Sequence, residues 1–109
     1  MQREIKGRVK DIENACLKIA AYCSNLSYDE FLKDEMRQLA TMRLLEIIGE
    51  ASKKIPEDVR NQFTDIPWKK MSGLRDILIH AYETVDIEAL WKICAESIPN
   101  LLSNIQKIK

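Results

Sequence analysis

The apolar residues near the start of the chain follow the period of an α-helix. They recur at every third or fourth position, so they fall on one face of a helix with about 3.6 residues per turn. These positions are Ile5, Val9, Ile12, Cys16, Ile19 and Cys23. The pattern predicts a first helix from Ile5 to Tyr22 with one buried stripe.

A helix start signal follows where this pattern breaks, at residues 25–27. Ser27 and Glu30 have the spacing of a capping box, in which each side chain binds a backbone N–H at the start of the helix. The sequence therefore predicts a second helix that begins there, restarts near residues 33–34 and runs to about Lys53. Its apolar face is broad, which indicates a central position in the fold.

Proline marks the start of the next helix. Pro56 suits the first turn of a short third helix, Glu57 to about Phe63, because the N–H that proline lacks would be unpaired there. After a connector at residues 64–67, a fourth helix is predicted from Trp68 to about Tyr82. Gly73 is the weak point in its helix propensity.

Asp86 provides an N-cap for a fifth helix, Ile87 to about Ile108, which Pro99 should kink. Five helices with short connectors and no strand signal predict an all-α fold, an antiparallel helical bundle. We expect residues 1–109 to form a single domain, because a chain of 109 residues has the length of one. A chain this short buries a limited core, which favours a homodimer whose interface adds to it.

Composition and charge restrict the location and the chemistry. No stretch reaches the roughly 20 apolar residues that cross a membrane, and the charged N-terminus lacks the apolar segment of a secretory signal, so we expect a cytoplasmic protein without membrane contact. Seventeen basic residues balance seventeen acidic ones, so nucleic-acid binding requires a local patch. Two lysine pairs could form such a basic rim, or could be ordinary solvated side chains: Lys53, Lys54, Lys69 and Lys70.

The cysteines do not have the spacing of metal ligands. Cys16 and Cys23 lie seven residues apart on one helical face, so we interpret them as buried core thiols rather than redox or metal groups. No metal site and no cofactor are predicted.

His80 is the one histidine, so any imidazole chemistry must use it. A single histidine on an apolar helix is ordinarily structural, but Arg75 lies five residues before it and Tyr82 two after it. At about 100° per residue, Arg75 and Tyr82 share a face and His80 lies roughly 140° from Arg75. Arginine and histidine without a metal suit phosphoryl transfer in RNA, because an imidazole can take the ribose 2′-hydroxyl proton and a guanidinium can bind the phosphate. Asp76, four residues before His80, would favour its protonated form.

The segment from Pro67 to Asp86 closely resembles the signature of the HepT-like HEPN toxins, whose core is R-x4-H-x-Y. Further similar segments are Ser27–Leu32, Leu45–Ala51, Asp86–Trp91 and Ile98–Pro99, so that the resemblance covers nearly the whole chain in order. Asp76 stands where the family often has asparagine.

The resemblance implies a homodimer with the HEPN fold and a metal-independent endoribonuclease activity. It implies that Arg75 and His80 are catalytic, in a cleft between the two chains. It also implies an MNT-type nucleotidyltransferase antitoxin as partner, which silences the enzyme by transferring AMP to Tyr82.

Two alternatives concern other residues of the candidate site. Glu46 and Glu50, one turn apart with Arg43 nearby, form either an ion-paired helix face or a carboxylate that holds Arg75 in position. Trp68 and Trp91 are interpreted as packing residues rather than platforms for RNA bases.

The main competing hypothesis is a non-catalytic helical module that docks a nucleotidyltransferase. It predicts the same fold and partner but no cleavage of RNA.

Overall fold

The structure is a computed structural model that describes residues 1–80 and 86–108, and at positions 75–77, 79 and 80 the description is limited to the backbone. Its helices are α1 (Arg3–Cys23), α2 (Tyr28–Leu32), α3 (Glu35–Lys53), α4 (Glu57–Gln62), α5 (Trp68–His80), α6 (Ile87–Lys92) and α7 (Ile98–Ile105). A π-helical turn, Ile93–Ser97, joins α6 to α7. The described residues contain no strand, so the predicted all-α fold is confirmed.

Local side-chain caps begin several of these helices where the sequence predicts. The Ser27 hydroxyl accepts a hydrogen bond from the Glu30 N–H, and the Glu30 carboxylate accepts one from the Ser27 N–H, both at 3.1 Å. Asp34 accepts from the Arg37 N–H at 3.0 Å, which restarts the helix as α3. Asp86 caps α6 by accepting from the Glu88 N–H at 2.9 Å. Both the predicted capping box and the predicted restart are confirmed.

The last predicted helix differs from the structure in its interior and at its end. A π turn at Ile93–Ser97 interrupts the predicted helix before Pro99 is reached. Pro99 lies in the first turn of α7, where a missing N–H is tolerated. The helix ends at Ile105 rather than Ile108. There, Lys107 and Ile108 donate to carbonyls only three residues back, which tightens the final turn.

Helix α3 is central, because it packs against α1 and α5. Leu45 and Ile48 of α3 are completely buried, as are Ile12 and Ile19 of α1. Helix α7 packs on α1, and α2 packs on α3 and α6. The central position that the sequence predicts for the helix ending at Lys53 is therefore confirmed for α3.

The long helices run antiparallel. The guanidinium of Arg37, at the start of α3, donates to the Tyr22 carbonyl near the end of α1 at 3.0 Å. Lys53, the last residue of α3, lines the same depression as Lys69 at the start of α5. One end of the bundle therefore holds the end of α3 and the start of α5, and the other end holds the start of α3 and position 80. None of the helices in the described ranges is long and apolar enough to span a membrane.

Candidate active site

Helix α5 carries the positions on which the functional prediction rests. It packs against α3, and its residues Trp68, Met71 and Leu78 are buried. Met71 lines a cavity together with Leu45 and Ile48 of α3. Its first intrahelical hydrogen bond runs from the Met71 N–H to the Pro67 carbonyl at 3.0 Å. The helical backbone continues through positions 75 and 80, so both candidate catalytic residues belong to one rigid element.

Helical register separates these two positions on a single chain. Position 75 lies four residues after Met71, about 40° around the helix from it, and so on the side that faces α3. Position 80 lies nine residues after Met71, on the opposite side of α5. The rise between positions 75 and 80 is about 7.5 Å. The backbone therefore places the two candidates at one end of the bundle but on different faces of the helix.

The contacts predicted between the motif residues are not described by the structure. The side chains of Arg75, Asp76 and His80, and the whole of Tyr82, lie outside the described residues. Their catalytic, supporting and regulatory roles stay predictions.

The two glutamates of α3 form ion pairs along their own helix. Glu46 accepts a hydrogen bond from the Arg43 guanidinium at 3.2 Å, and Glu50 lies 3.8 Å from the Lys54 ammonium. Both glutamate side chains are partly exposed, at 23% and 47%. The ion-paired interpretation therefore has observed partners, while a contact with Arg75 falls outside the described side chains.

Both tryptophans are packing residues, as predicted. Trp68 is only 6% exposed, and its indole N–H donates to the Phe63 carbonyl at 3.0 Å. The Trp91 ring lies 5.1 Å from the Phe31 ring and 6.3 Å from the Tyr28 ring, measured between centroids. The Trp68 ring is therefore enclosed, and the partly exposed Trp91 ring packs against two other aromatic rings.

A basic depression lies where α3, α4 and α5 meet. It is open to solvent and has a volume of about 870 Å³. Lys53, Lys69 and Lys70 line it, so the structure brings together three of the four lysines that the sequence suggested as a basic rim. Lys54 is not part of the lining and pairs with Glu50 instead.

Arg60 completes this basic lining and was not singled out from the sequence. Its guanidinium donates to the Ile55 carbonyl at 2.9 Å and to the Ser52 carbonyl. These carbonyls lie at and just beyond the C-terminal end of α3, where carbonyls lack helical partners. From the sequence, Arg60 is only a basic residue in a short helix that follows the end of another helix. This pattern is too common to predict that the arginine binds those carbonyls.

Two of the three cysteines, Cys16 and Cys94, are buried, whereas Cys23 is half-buried. Burial, with a smaller contribution from the Glu13 carboxylate, raises the pKa of Cys16 to about 12. Cys23 is half-buried rather than buried as expected, because it is the last residue of α1; there it contacts Cys94. The hydrogen bond with Cys23, followed by burial, raises the pKa of Cys94. Within the described part of the chain, no group of three or more His, Cys, Asp or Glu residues is placed to hold a metal ion.

Comparisons with known proteins give a consistent result. Residues 12–108 match the model of a family described as "Ribonuclease HepT-like". A protein named "Probable ribonuclease HepT" from Thermococcus cleftensis is 42% identical over 109 residues, which is 100% of this chain and 99% of the relative. A "Putative RNase" from Methanocaldococcus jannaschii is 39% identical over 96% of each chain. A "Putative RNase" from Caldanaerobacter subterraneus is 34% identical over 92% of this chain and 89% of the relative. No solved structure matches the chain significantly.

Proposed function

Because the chain belongs to the HepT-like ribonuclease family, we propose that it is a metal-independent endoribonuclease and the toxin of a toxin–antitoxin pair. The observation that carries this proposal is the presence of Arg75 and His80 with the spacing R-x4-H, on the last turns of α5, in a chain that matches the family along most of its length. The single histidine makes His80 the one imidazole available to the reaction.

The proposed reaction is an internal transesterification of RNA. His80, as the neutral imidazole, accepts the proton of a ribose 2′-hydroxyl, and the resulting oxygen attacks the neighbouring phosphorus. The bond from phosphorus to the 5′-oxygen breaks, and that oxygen leaves with a proton from a general acid or from water. The products are a 2′,3′-cyclic phosphate and a 5′-hydroxyl. Arg75 binds the phosphate oxygens, on which negative charge increases in the transition state.

We place the active site in a cleft between two copies of the chain. Two considerations support this placement. Positions 75 and 80 lie on different faces of α5, so a two-fold axis near the end of this helix would combine residues of both chains in one cleft. The same end of the bundle exposes apolar side chains at the end of α2 and the start of α3 that a partner could cover: Leu32 is 47% exposed, Met36 82% and Leu39 40%.

The cleavage reaction is tested with the purified protein and single-stranded RNA in EDTA. We expect cleavage that leaves 2′,3′-cyclic phosphate ends. Arg75→Ala and His80→Ala should each lower the rate by roughly 10²–10³ or more, since each removes a group that acts in the transition state. Arg3→Ala, at the exposed first residue of α1, is the matched control and should keep the wild-type rate.

Loss of cleavage in EDTA would contradict the metal-independent mechanism. Wild-type activity in His80→Ala would contradict the assignment of the catalytic base. A protein that binds a nucleotidyltransferase but never cleaves RNA would support the competing docking hypothesis.

Tyr82 is the proposed site of regulation by an MNT-type nucleotidyltransferase antitoxin. Its phenolic oxygen attacks the α-phosphorus of ATP, pyrophosphate leaves, and the phenolic proton passes to a base or to water. The new phosphodiester and its adenosine would lie two residues from His80, where the phosphate would compete with RNA for Arg75.

Mass spectrometry of the toxin after incubation with the partner and ATP tests this regulation. We expect the mass of at least one AMP on the peptide that contains Tyr82, together with loss of ribonuclease activity. Tyr82→Phe should stay unmodified and active under the same conditions, and Tyr28→Phe is the matched control. Full neutralisation of Tyr82→Phe would mean that the partner inhibits by steric blocking alone.

A further inference from the structure

The basic depression at the junction of α3, α4 and α5 is not part of the catalytic motif. Four basic side chains line it, and one acidic side chain, Glu57, accompanies them. Lys69 and Lys70 are exposed at its edge. Because the whole chain has no net charge, this local excess of positive charge is what would attract a polyanion.

Helical register connects this depression to the catalytic end of α5. Position 80 lies eleven residues after Lys69, which is about 20° around the helix and about 16 Å along it. Gly73 lies between them on the same face, and a Cβ atom added there would meet nothing within 4 Å. Lys69, Gly73 and position 80 therefore share one face of α5, and Asp76 is the acidic position along it.

We propose that the depression and this face of α5 form a path for the RNA strand beyond the scissile phosphate, with Lys69 and Lys70 binding its backbone phosphates. This inference rests on the proposed ribonuclease function, because the path leads to His80.

The chemistry of the lining defines what is recognised. Lysine ammonium groups act as point charges that suit single phosphates, and the Arg60 guanidinium is engaged with backbone carbonyls and forms the wall. The indole of Trp68 is buried and hydrogen-bonded, so the depression offers no exposed ring for base stacking. Binding at this path should therefore depend on salt and on strand length, and should not depend on base sequence.

Fluorescence anisotropy with 2′-O-methyl oligoribonucleotides tests the path, because these strands lack the 2′-hydroxyl and cannot be cleaved. A dodecanucleotide should bind the wild-type protein more tightly than a tetranucleotide, since only the longer strand extends beyond the active site. The double variant Lys69→Gln with Lys70→Gln should weaken dodecanucleotide binding on the order of tenfold. It should also make the slope of log K against log salt concentration shallower by about 1.4. Each phosphate contact on a single strand contributes about 0.7 to this slope, and the variant removes two such contacts.

Two control variants separate the path from a general effect of charge. Lys10→Gln with Lys18→Gln changes the net charge equally, but these exposed lysines belong to α1 and do not line the depression. This variant should bind as the wild type does. Lys69→Arg with Lys70→Arg keeps both charges and should keep most of the affinity.

Equal weakening by the α1 variant and the α5 variant would overturn the path, and so would an unchanged salt dependence in the α5 variant or no binding by the wild type. The binding measurement is independent of cleavage. If wild-type protein cleaves RNA while the α5 variant binds normally, only the path is wrong. If binding requires Lys69 and Lys70 but no RNA is cleaved, only the ribonuclease function is wrong.

Discussion

At the scale of single residues, Cys16 shows how burial changes the chemistry of a side chain. Cys16 belongs to α1, which packs on α3 and α7, and its side chain is fully shielded from solvent. Burial disfavours the thiolate, which is why the pKa rises from an ordinary value of 9.0 to about 12. The residue is therefore inert at neutral pH and serves as a small apolar group.

This shift predicts a loss of stability in alkaline solution. Because the folded pKa is raised, the unfolded chain releases the Cys16 proton first, so the contribution is complete below pH 9.0 and is lost as the pH rises towards about 12. The free energy of unfolding should fall with a slope of up to about 1.4 kcal/mol per pH unit from this one group. Urea unfolding of wild type and Cys16→Ala between these pH values measures the difference. Parallel pH profiles for the two proteins would show that Cys16 does not titrate in this way.

Short-range chemistry explains why several residues could be assigned from the sequence. The caps formed by Ser27, Asp34 and Asp86 act within three residues of their own position, so the sequence alone determines them. Arg60 is different. Its partners are carbonyls at the end of another helix, Ser52 and Ile55, and that contact depends on how α4 folds back against α3.

At the scale of elements, the helix starts were predictable and the interior of the last helix was not. A π turn inserts one residue into the hydrogen-bonding pattern of an α-helix, and apolar periodicity over a few residues does not resolve such a shift. Pro99 indicated a disturbance, but not its form or its position at Ile93–Ser97.

Gly73 gives a second prediction at this scale. Glycine in the middle of a helix costs roughly 0.5–1 kcal/mol relative to alanine, and the described neighbours leave room for a Cβ at this position. Gly73→Ala should therefore raise the free energy of unfolding by about that amount in urea titrations. Gly7→Ala in α1, where a Cβ also meets nothing within 4 Å, is the matched control and should give a similar gain. A gain at Gly7 with a loss at Gly73 would contradict the open space beside Gly73.

At the scale of the whole molecule, the sequence predicted the fold class and the helix that carries the candidate site. The R-x4-H spacing identified positions 75 and 80 before any packing was known, because both lie on one helix. The basic depression required the packing of three helices, since Lys53 and Lys69 are sixteen positions apart in the chain. The exposed patch at Leu32, Met36 and Leu39 likewise becomes apparent only when the other helices are in place.

A cleft shared by two chains is the central claim about the whole molecule, and mixing two inactive variants tests it most directly. Arg75→Ala and His80→Ala chains are unfolded together, refolded as a mixture and assayed for RNA cleavage in EDTA. If each site takes Arg75 from one chain and His80 from the other, half of the dimers are mixed and each contains one intact site, so activity should return to about one quarter of the wild-type value. A refolded mixture as inactive as its two parents would contradict the shared cleft.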